Sequence, residues 1–220
     1  MTQNAELTPD ATDAEREAYW NAYYASTRTS IRPLPSQFAT FVAGELAGPS
    51  RVVEFGSGAG RDSLFFSSNG HDVTGVDASK AAVDSCATLA MSLGDNATFI
   101  AAAIDEPDLV SKIRVEPGNT LIYARFFIHA ITEEEENAFF DVAAGLTAPG
   151  DRLAVEYRTV RDSSNVKVTD THYRRFVSPS EFNAKAVLRD FDVTYAVEGF
   201  GFAKYQQDDA YVARALFVKH

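Results

Sequence analysis

Val52-Val53-Glu54-Phe55-Gly56-Ser57-Gly58-Ala59-Gly60 reads as an apolar strand, a glycine-rich turn and the start of a helix. Glycine lets the backbone come close to a ligand, and the first N–H groups of the following helix are free to face it. A glycine loop is a common feature, and a tight turn explains it without any ligand. Asp77 sharpens the reading, because it ends the next strand, where a carboxylate can accept both hydroxyls of a ribose. The same side chain could instead cap the helix that starts near residue 79. Asp105 follows the third strand, at the edge where an adenine would lie, and fits equally as an N-cap before Glu106-Pro107. The loop has Gly-x-Gly-x-Gly spacing, with Arg61 where a dinucleotide fingerprint has its third glycine. Glu54, just before the loop, suits an ammonium or sulfonium group and not a pyrophosphate.

Outward from this stretch, strands and helices alternate. Gly70-His71, Gly94-Asp95, Gly118-Asn119 and Gly150-Asp151 each follow a helix-like segment and precede a strand-like one. The pattern predicts helices near 12–26 and 36–47, then strand 51–55, helix 60–69, strand 72–76 and helix 79–92. Strand 97–101, a short helix near 106–113, strand 119–124, helix 133–146 and strand 151–157 follow. An irregular arm leads to helix 179–187 and to strands near 191–198 and 211–218, which should pair antiparallel. Thr132 with Glu135, and Ser178-Pro179-Ser180-Glu181, both fit a capping box. The fold class expected is α/β, a doubly wound sheet with helices on both faces.

The chain has 220 residues, 45% hydrophobic and 23% charged, which is ordinary for one globular domain. Its formal net charge is −11, so it lacks the basic footprint of a general nucleic-acid or anionic-membrane binder. The one cysteine, Cys86, excludes an intramolecular disulfide and a multi-thiolate zinc site. No apolar run is long enough for a membrane span, and the acidic start does not read as a secretory signal. A cytoplasmic location is expected, with no metal, no nucleic-acid partner and no membrane. Residues 1–11 read as a loose tail, and the oligomeric state is open.

The Val52–Gly60 stretch, with Asp77 and Asp105, resembles the class I S-adenosylmethionine-dependent methyltransferases over roughly residues 36–220. The resemblance implies a seven-stranded sheet in the order 3-2-1-4-5-7-6 with the last strand antiparallel, and S-adenosylmethionine as cofactor. It implies Glu54, Gly56 and Gly58 around the methionine part, Asp77 on the ribose, and Ile104-Asp105 beside the adenine. The backbone at Arg125 would lie near the methionine ammonium. Ser57, Asp62 and Ala78 complete the candidate cofactor set. Residues 1–35 would form a tail and a lid-like helix, and residues 36–220 the methyltransferase domain. Gly60–Leu64 with Gly70–Val73 is similar to bacterial small-acceptor methyltransferases, and Tyr123–Ile131, Glu156–Thr159 and His172–Phe176 together resemble bacterial methyltransferases of sugar and cell-surface glycan pathways.

The acceptor side belongs past the carboxyl ends of strands four and five. His129 is the candidate general base, with Tyr157 and Arg158 beside it; His129 could equally be a structural histidine. Arg158, Arg161, Arg174 and Arg175 make the arm after strand five locally basic. With Tyr173 interleaved, the arm could clamp an anionic or polyhydroxylated acceptor, or its arginines could pair with local acids. Trp20 and Tyr23 of the first helix are expected to touch the substrate as part of the lid, and Phe126-Phe127 to wall the acceptor pocket. No Asn/Asp-Pro-Pro-Tyr follows strand four, where nucleic-acid amino-methylating enzymes carry it. The expected activity is O-methylation of a small-molecule or sugar acceptor. Methyl transfer to nitrogen, sulfur or phosphate oxygen, a non-catalytic cofactor-binding protein, and a nicotinamide oxidoreductase are the competing readings.

Overall fold

The structure is a computed structural model that describes residues 12–26, 34–113, 118–163, 173–204 and 208–220. The expected tail over residues 1–11 and His172 lie outside the described residues. The elements in chain order are α1 (Asp13–Ser26), α2 (Gln37–Gly44), β1 (Arg51–Phe55), α3 (Arg61–Ser68), β2 (Asp72–Asp77) and α4 (Lys80–Leu93). Then come β3 (Thr98–Ala101), α5 (Leu109–Ile113), β4 (Thr120–Arg125), α6 (Glu133–Leu146) and β5 (Arg152–Arg158). The chain closes with α7 (Pro179–Val187), β6 (Phe191–Gly199) and β7 (Val212–Lys219).

The strands form one sheet in the order β3-β2-β1-β4-β5-β7-β6. β1 to β5 pair in parallel, while β7 runs antiparallel to both β5 and β6. The order reverses between β1 and β4, the switch point where open α/β sheets leave a crevice beyond their carboxyl ends. Side chains alternate across the sheet with period two, so its strands feed two cores. Val52, Leu121 and Tyr123 pack with Phe38, Leu64 and Leu89 of α2, α3 and α4. Val53, Ile122 and Val155 pack on the other face with Leu109, Phe139 and Phe182 of α5, α6 and α7. Burial on both faces explains why β1, β4 and β5 read as nearly continuous apolar runs.

Two helix starts were expected to carry capping boxes. At α6 the box forms: Thr132 accepts the Glu135 N–H, and Glu135 accepts the Thr132 N–H at 2.7 Å. At α7 it does not. The Ser178 side chain caps no backbone N–H, and its hydroxyl pairs with that of Ser180 at 3.1 Å, so Pro179 at the first turn carries the start alone. Among the described residues no helix is long and apolar enough to cross a membrane.

Candidate active site

β1 delivers the chain into the glycine loop, and neighbours hold that loop from several sides. Gly56 and Ser57 donate their N–H groups to the Val76 carbonyl at 2.8 and 3.2 Å. The Gly58 N–H donates to Asp77 Oδ2 at 2.8 Å, and Cys86 Sγ donates to the Gly58 carbonyl at 3.0 Å. Gly58 has φ +51°, and a Cβ there would run into the Tyr24 hydroxyl. Left-handed backbone and the close seat of Tyr24 therefore both demand glycine. Burial pushes the Cys86 thiol up to about 12, which makes it an inert support of the loop.

Asp77 stands at the carboxyl end of β2. Its second oxygen, Oδ1, accepts the Ser79 N–H at 2.8 Å. Burial raises its pKa above the usual carboxylate range, and the N–H donors of Ser79 and Gly58 pull the other way. Each oxygen thus receives one backbone donor and keeps lone-pair capacity for another.

Beyond the loop opens a cavity of about 490 Å³. One end is bounded by Asp77, Ala78, Ala101 to Ala103 and Asp105, where short side chains leave room for a flat group, and Gly56 borders the middle, against Phe127. The other end is bounded by Phe126, Phe127, Ala130, Ile131 and Glu135 after β4. The roof is α1, which presents Asp13, Arg16, Glu17, Trp20 and Tyr24 at three- and four-residue spacings, one helix face. Phe126 has φ +58°, a costly conformation for a bulky residue, on the order of 1–3 kcal/mol. Its N–H is held by the Glu156 carbonyl at 2.8 Å, and the Arg125 guanidinium lies 4.2 Å over its ring. The strained turn brings two consecutive aromatic rings to the cavity wall.

α1 is fastened at two points. Arg16 Nη2 donates to Asp13 Oδ1 at 2.8 Å and to Glu135 Oε1 at 2.9 Å, and the guanidinium lies 5.1 Å over the Tyr173 ring. Near the other end, Asn21 Oδ1 accepts from Ser79 Oγ at 2.8 Å and from the Ala81 N–H at 3.3 Å, joining α1 to the start of α4.

This sheet order, with a glycine loop and an acidic strand end at its switch point, coincides with a match in sequence: residues 52–150 fit a family model described as a methyltransferase domain. Residues 52–150 carry a methyltransferase domain. Solved structures agree on the fold. An S-adenosylmethionine-dependent methyltransferase from Anabaena variabilis superposes with a TM-score of 0.74 at 19% identity, covering 98% of this chain and 99% of that one. A TehB-like S-adenosylmethionine-dependent methyltransferase from Corynebacterium glutamicum gives 0.64 at 15% identity, covering 95% and 100%. Magnesium protoporphyrin IX methyltransferase from Synechocystis, solved with bound S-adenosylmethionine, gives 0.60 at 13% identity, covering 96% and 86%. No curated protein matches in sequence.

The residues present fit S-adenosylmethionine, the molecule bound in the Synechocystis structure. Asp77 keeps acceptor capacity at the cavity, Gly56 borders it with the Phe127 ring packed close by, and the buried Ser57 hydroxyl has no partner among the described residues. Glu54 is buried behind the loop and accepts a hydrogen bond from Ser63 Oγ. Burial, and then the charge of Asp62, raise its pKa well above the usual carboxylate range. A cationic group arriving nearby would reverse that balance.

Of the residues expected from sequence, Gly56, Asp77, Ala78, Asp105 and Trp20 border the cavity of the methyltransferase, and Phe126 and Phe127 wall it. Gly58, Ser57 and Glu54 lie in or behind the loop, and Ile104 is buried in the core. Asp62 takes a different part. Its carboxylate accepts from the Ser36 N–H, the Ser36 hydroxyl and the Tyr123 hydroxyl at 2.7, 2.7 and 2.9 Å, a strut that fastens α2 and α3 under the loop. Arg125 donates to Glu156 Oε1 at 2.9 Å rather than bordering the cavity.

The expected catalytic trio needs correction. His129 is buried outside the cavity wall, and its Nδ1 accepts the Arg158 N–H at 3.2 Å. Tyr157 points into the core, its ring 4.9 Å from Phe182. Arg158 is buried between Asp162 and Asp208, at 2.7 Å from each. The basic arm is neutralised in the same way. Arg175 pairs with Glu136, and Arg161 with Glu198 at 3.0 Å. Arg174 and Tyr173 stand off the wall, and Tyr23 is exposed on the outer side of α1. The residues that sequence reading passed over are Arg16, Glu17 and Glu135; reading Trp20 and Tyr24 backwards at helical spacing would have found the first two.

Proposed function

We propose that this methyltransferase transfers a methyl group to an oxygen of a small-molecule or sugar acceptor bound between α1 and the Phe126–Glu135 segment. The observation that carries the reading is the single cavity that continues from the Asp77 and Ala101–Ala103 end to the Trp20, Phe126 and Phe127 end. A nucleoside fits the first and an acceptor the second. When bound, the cofactor supplies a sulfonium methyl; its carbon–sulfur bond breaks as the carbon–oxygen bond forms, and the electron pair stays on sulfur. The chain's own part is alignment and exclusion of water. The glycine loop and Asp77 fix the nucleoside end, the aromatic rings orient the acceptor, and α1 roofs both. The acceptor's hydroxyl proton leaves to carboxylates of the wall, since His129 has Nδ1 engaged by the backbone of β5. Residues 36–220 form the catalytic body in this reading, and α1 acts as its lid.

Arg125-Phe126-Phe127 stands where amino-methylating nucleic-acid enzymes carry Asn/Asp-Pro-Pro-Tyr, which favours oxygen over such a nitrogen. The test is calorimetry with S-adenosylhomocysteine, followed by incubation of S-adenosylmethionine with a panel of hydroxyl, amine and thiol acceptors. Binding, then S-adenosylhomocysteine formation with hydroxyl acceptors only, is expected. Formation with amines or thiols alone would overturn the oxygen assignment, and an absence of binding would overturn the whole reading.

A further inference from the structure

The wall of the acceptor end carries a charge pattern that restricts what can bind there. The α1 face over the cavity is graded: Asp13 and Glu17 at its start, Trp20 and Tyr24 at its end, the two rings stacked with centroids 5.9 Å apart. Glu135 adds a third carboxylate from α6. Arg16 and Lys80 are the cations of the lining: Arg16 Nη2 is already shared between Asp13 and Glu135, and Lys80 is paired with Asp84 at 2.7 Å. The guanidinium groups within reach on the arm are committed as well, Arg158 to Asp162 and Asp208, and Arg175 to Glu136. A phosphate or carboxylate placed here would have to displace one of these carboxylates and would then face the others. An ammonium group meets carboxylates beside aromatic faces, the environment that stabilises it by charge and by cation–π attraction.

We propose that the acceptor is a molecule with a flat apolar part and a positively charged amino group, and that anionic molecules are rejected. The apolar part lies along Trp20 and Phe127, and the amino group points to Asp13 and Glu17. This rests on the proposed assignment of the two cavity ends. It also reverses the sequence expectation of an arginine clamp for anions.

The test uses three probes with the same ring: phenethylamine, 2-phenylethanol and 3-phenylpropanoate, positive, neutral and negative. Each is titrated calorimetrically into the full chain saturated with S-adenosylhomocysteine, whose own binding is measured first. A failure at that first step sinks the functional reading, while the charge series judges the present one. Phenethylamine should bind about tenfold more tightly than 3-phenylpropanoate, with 2-phenylethanol between them. High salt should narrow the gap. In the Asp13→Asn, Glu17→Gln double variant the preference should largely vanish, with S-adenosylhomocysteine affinity and melting temperature retained. Equal or tighter binding of the anion, a preference that survives in the folded double variant, or no binding of any probe to the loaded protein would overturn the inference.

Discussion

Asp77 joins three things at one carboxylate: the turn of the glycine loop, the start of α4 and one end of the cavity. Oδ2 fixes the Gly58 N–H and Oδ1 fixes the Ser79 N–H, each at 2.8 Å. An amide cannot copy this, since one of its two positions is a donor that would oppose a backbone N–H. Asp77→Asn should therefore weaken S-adenosylhomocysteine binding about 10- to 100-fold, the worth of hydrogen bonds to a charged group. It should also lower the melting temperature. Asp72→Asn, at an exposed strand start, is the control that should change neither. Calorimetry beside thermal melts makes the comparison, and an Asp77→Asn protein that binds like wild type would remove this residue from the site. The place of Asp77 beside the cavity was legible from sequence because a strand end after a glycine loop is a position fixed by topology. His129, Tyr157 and Arg158 misled because proximity to a strand's carboxyl end does not decide which way a side chain points. Tyr157 falls on the core side of β5, and the backbone N–H of Arg158 already claims the His129 ring.

Among the elements, α1 stands apart. Fourteen residues make a marginal helix in isolation, and few of its side chains are buried, so tertiary ties must hold it in place. The ties are Arg16 to Glu135 at one end and Asn21 to Ser79 and Ala81 at the other. Removing both, as Arg16→Ala with Asn21→Ala, should raise amide hydrogen exchange across α1 by at least about tenfold, since each tie contributes on the order of 1 kcal/mol. Exchange in β1, β4 and β5 should stay unchanged. Equal protection of α1 in the double variant would mean that ring packing alone holds the helix. Periodicity and turn chemistry revealed nearly every element: α6 and α7 occupy the very spans the caps and proline predict, and the other boundaries move by a few residues. The Ser178 cap failed because its hydroxyl turns to Ser180, a choice between two local partners that spacing leaves undecided. The partners of the basic arm were equally hidden. Asp208 lies 50 residues from Arg158 in sequence, and only the fold brings them together.

For the whole molecule, the carboxyls at the centre tie stability and ligand binding to pH in opposite directions. Glu54 and Asp77 have pKa values raised by burial, and for Glu54 by the charge of Asp62 as well. Their unfolded values lie near about 4. Between that value and the raised one, the folded chain holds protons that the unfolded chain has released. The stabilisation from these groups is therefore complete below about pH 4 and is lost as pH rises through the folded values. Glu133, whose pKa is lowered by its hydrogen bond with Lys185, works the other way and loses its contribution only as pH falls below the ordinary glutamate range. In thermal melts without ligand, the melting temperature should fall as pH climbs from about 4 through the raised values of these carboxyls. Glu54→Gln, which keeps the neutral shape and the acceptor for Ser63, should flatten that slope. S-adenosylhomocysteine should show the reverse trend, because in the proposed site both Asp77 oxygens would accept ribose hydroxyls, which requires the ionised carboxylate. Its affinity should rise with pH by up to about tenfold per unit below the Asp77 pKa and then level off. Melts and calorimetry in parallel across this range decide the matter. An apo melting temperature that climbs over the window, with an affinity independent of pH, would mean that the central carboxyls are ionised throughout and that ligand binding makes no demand on their protonation.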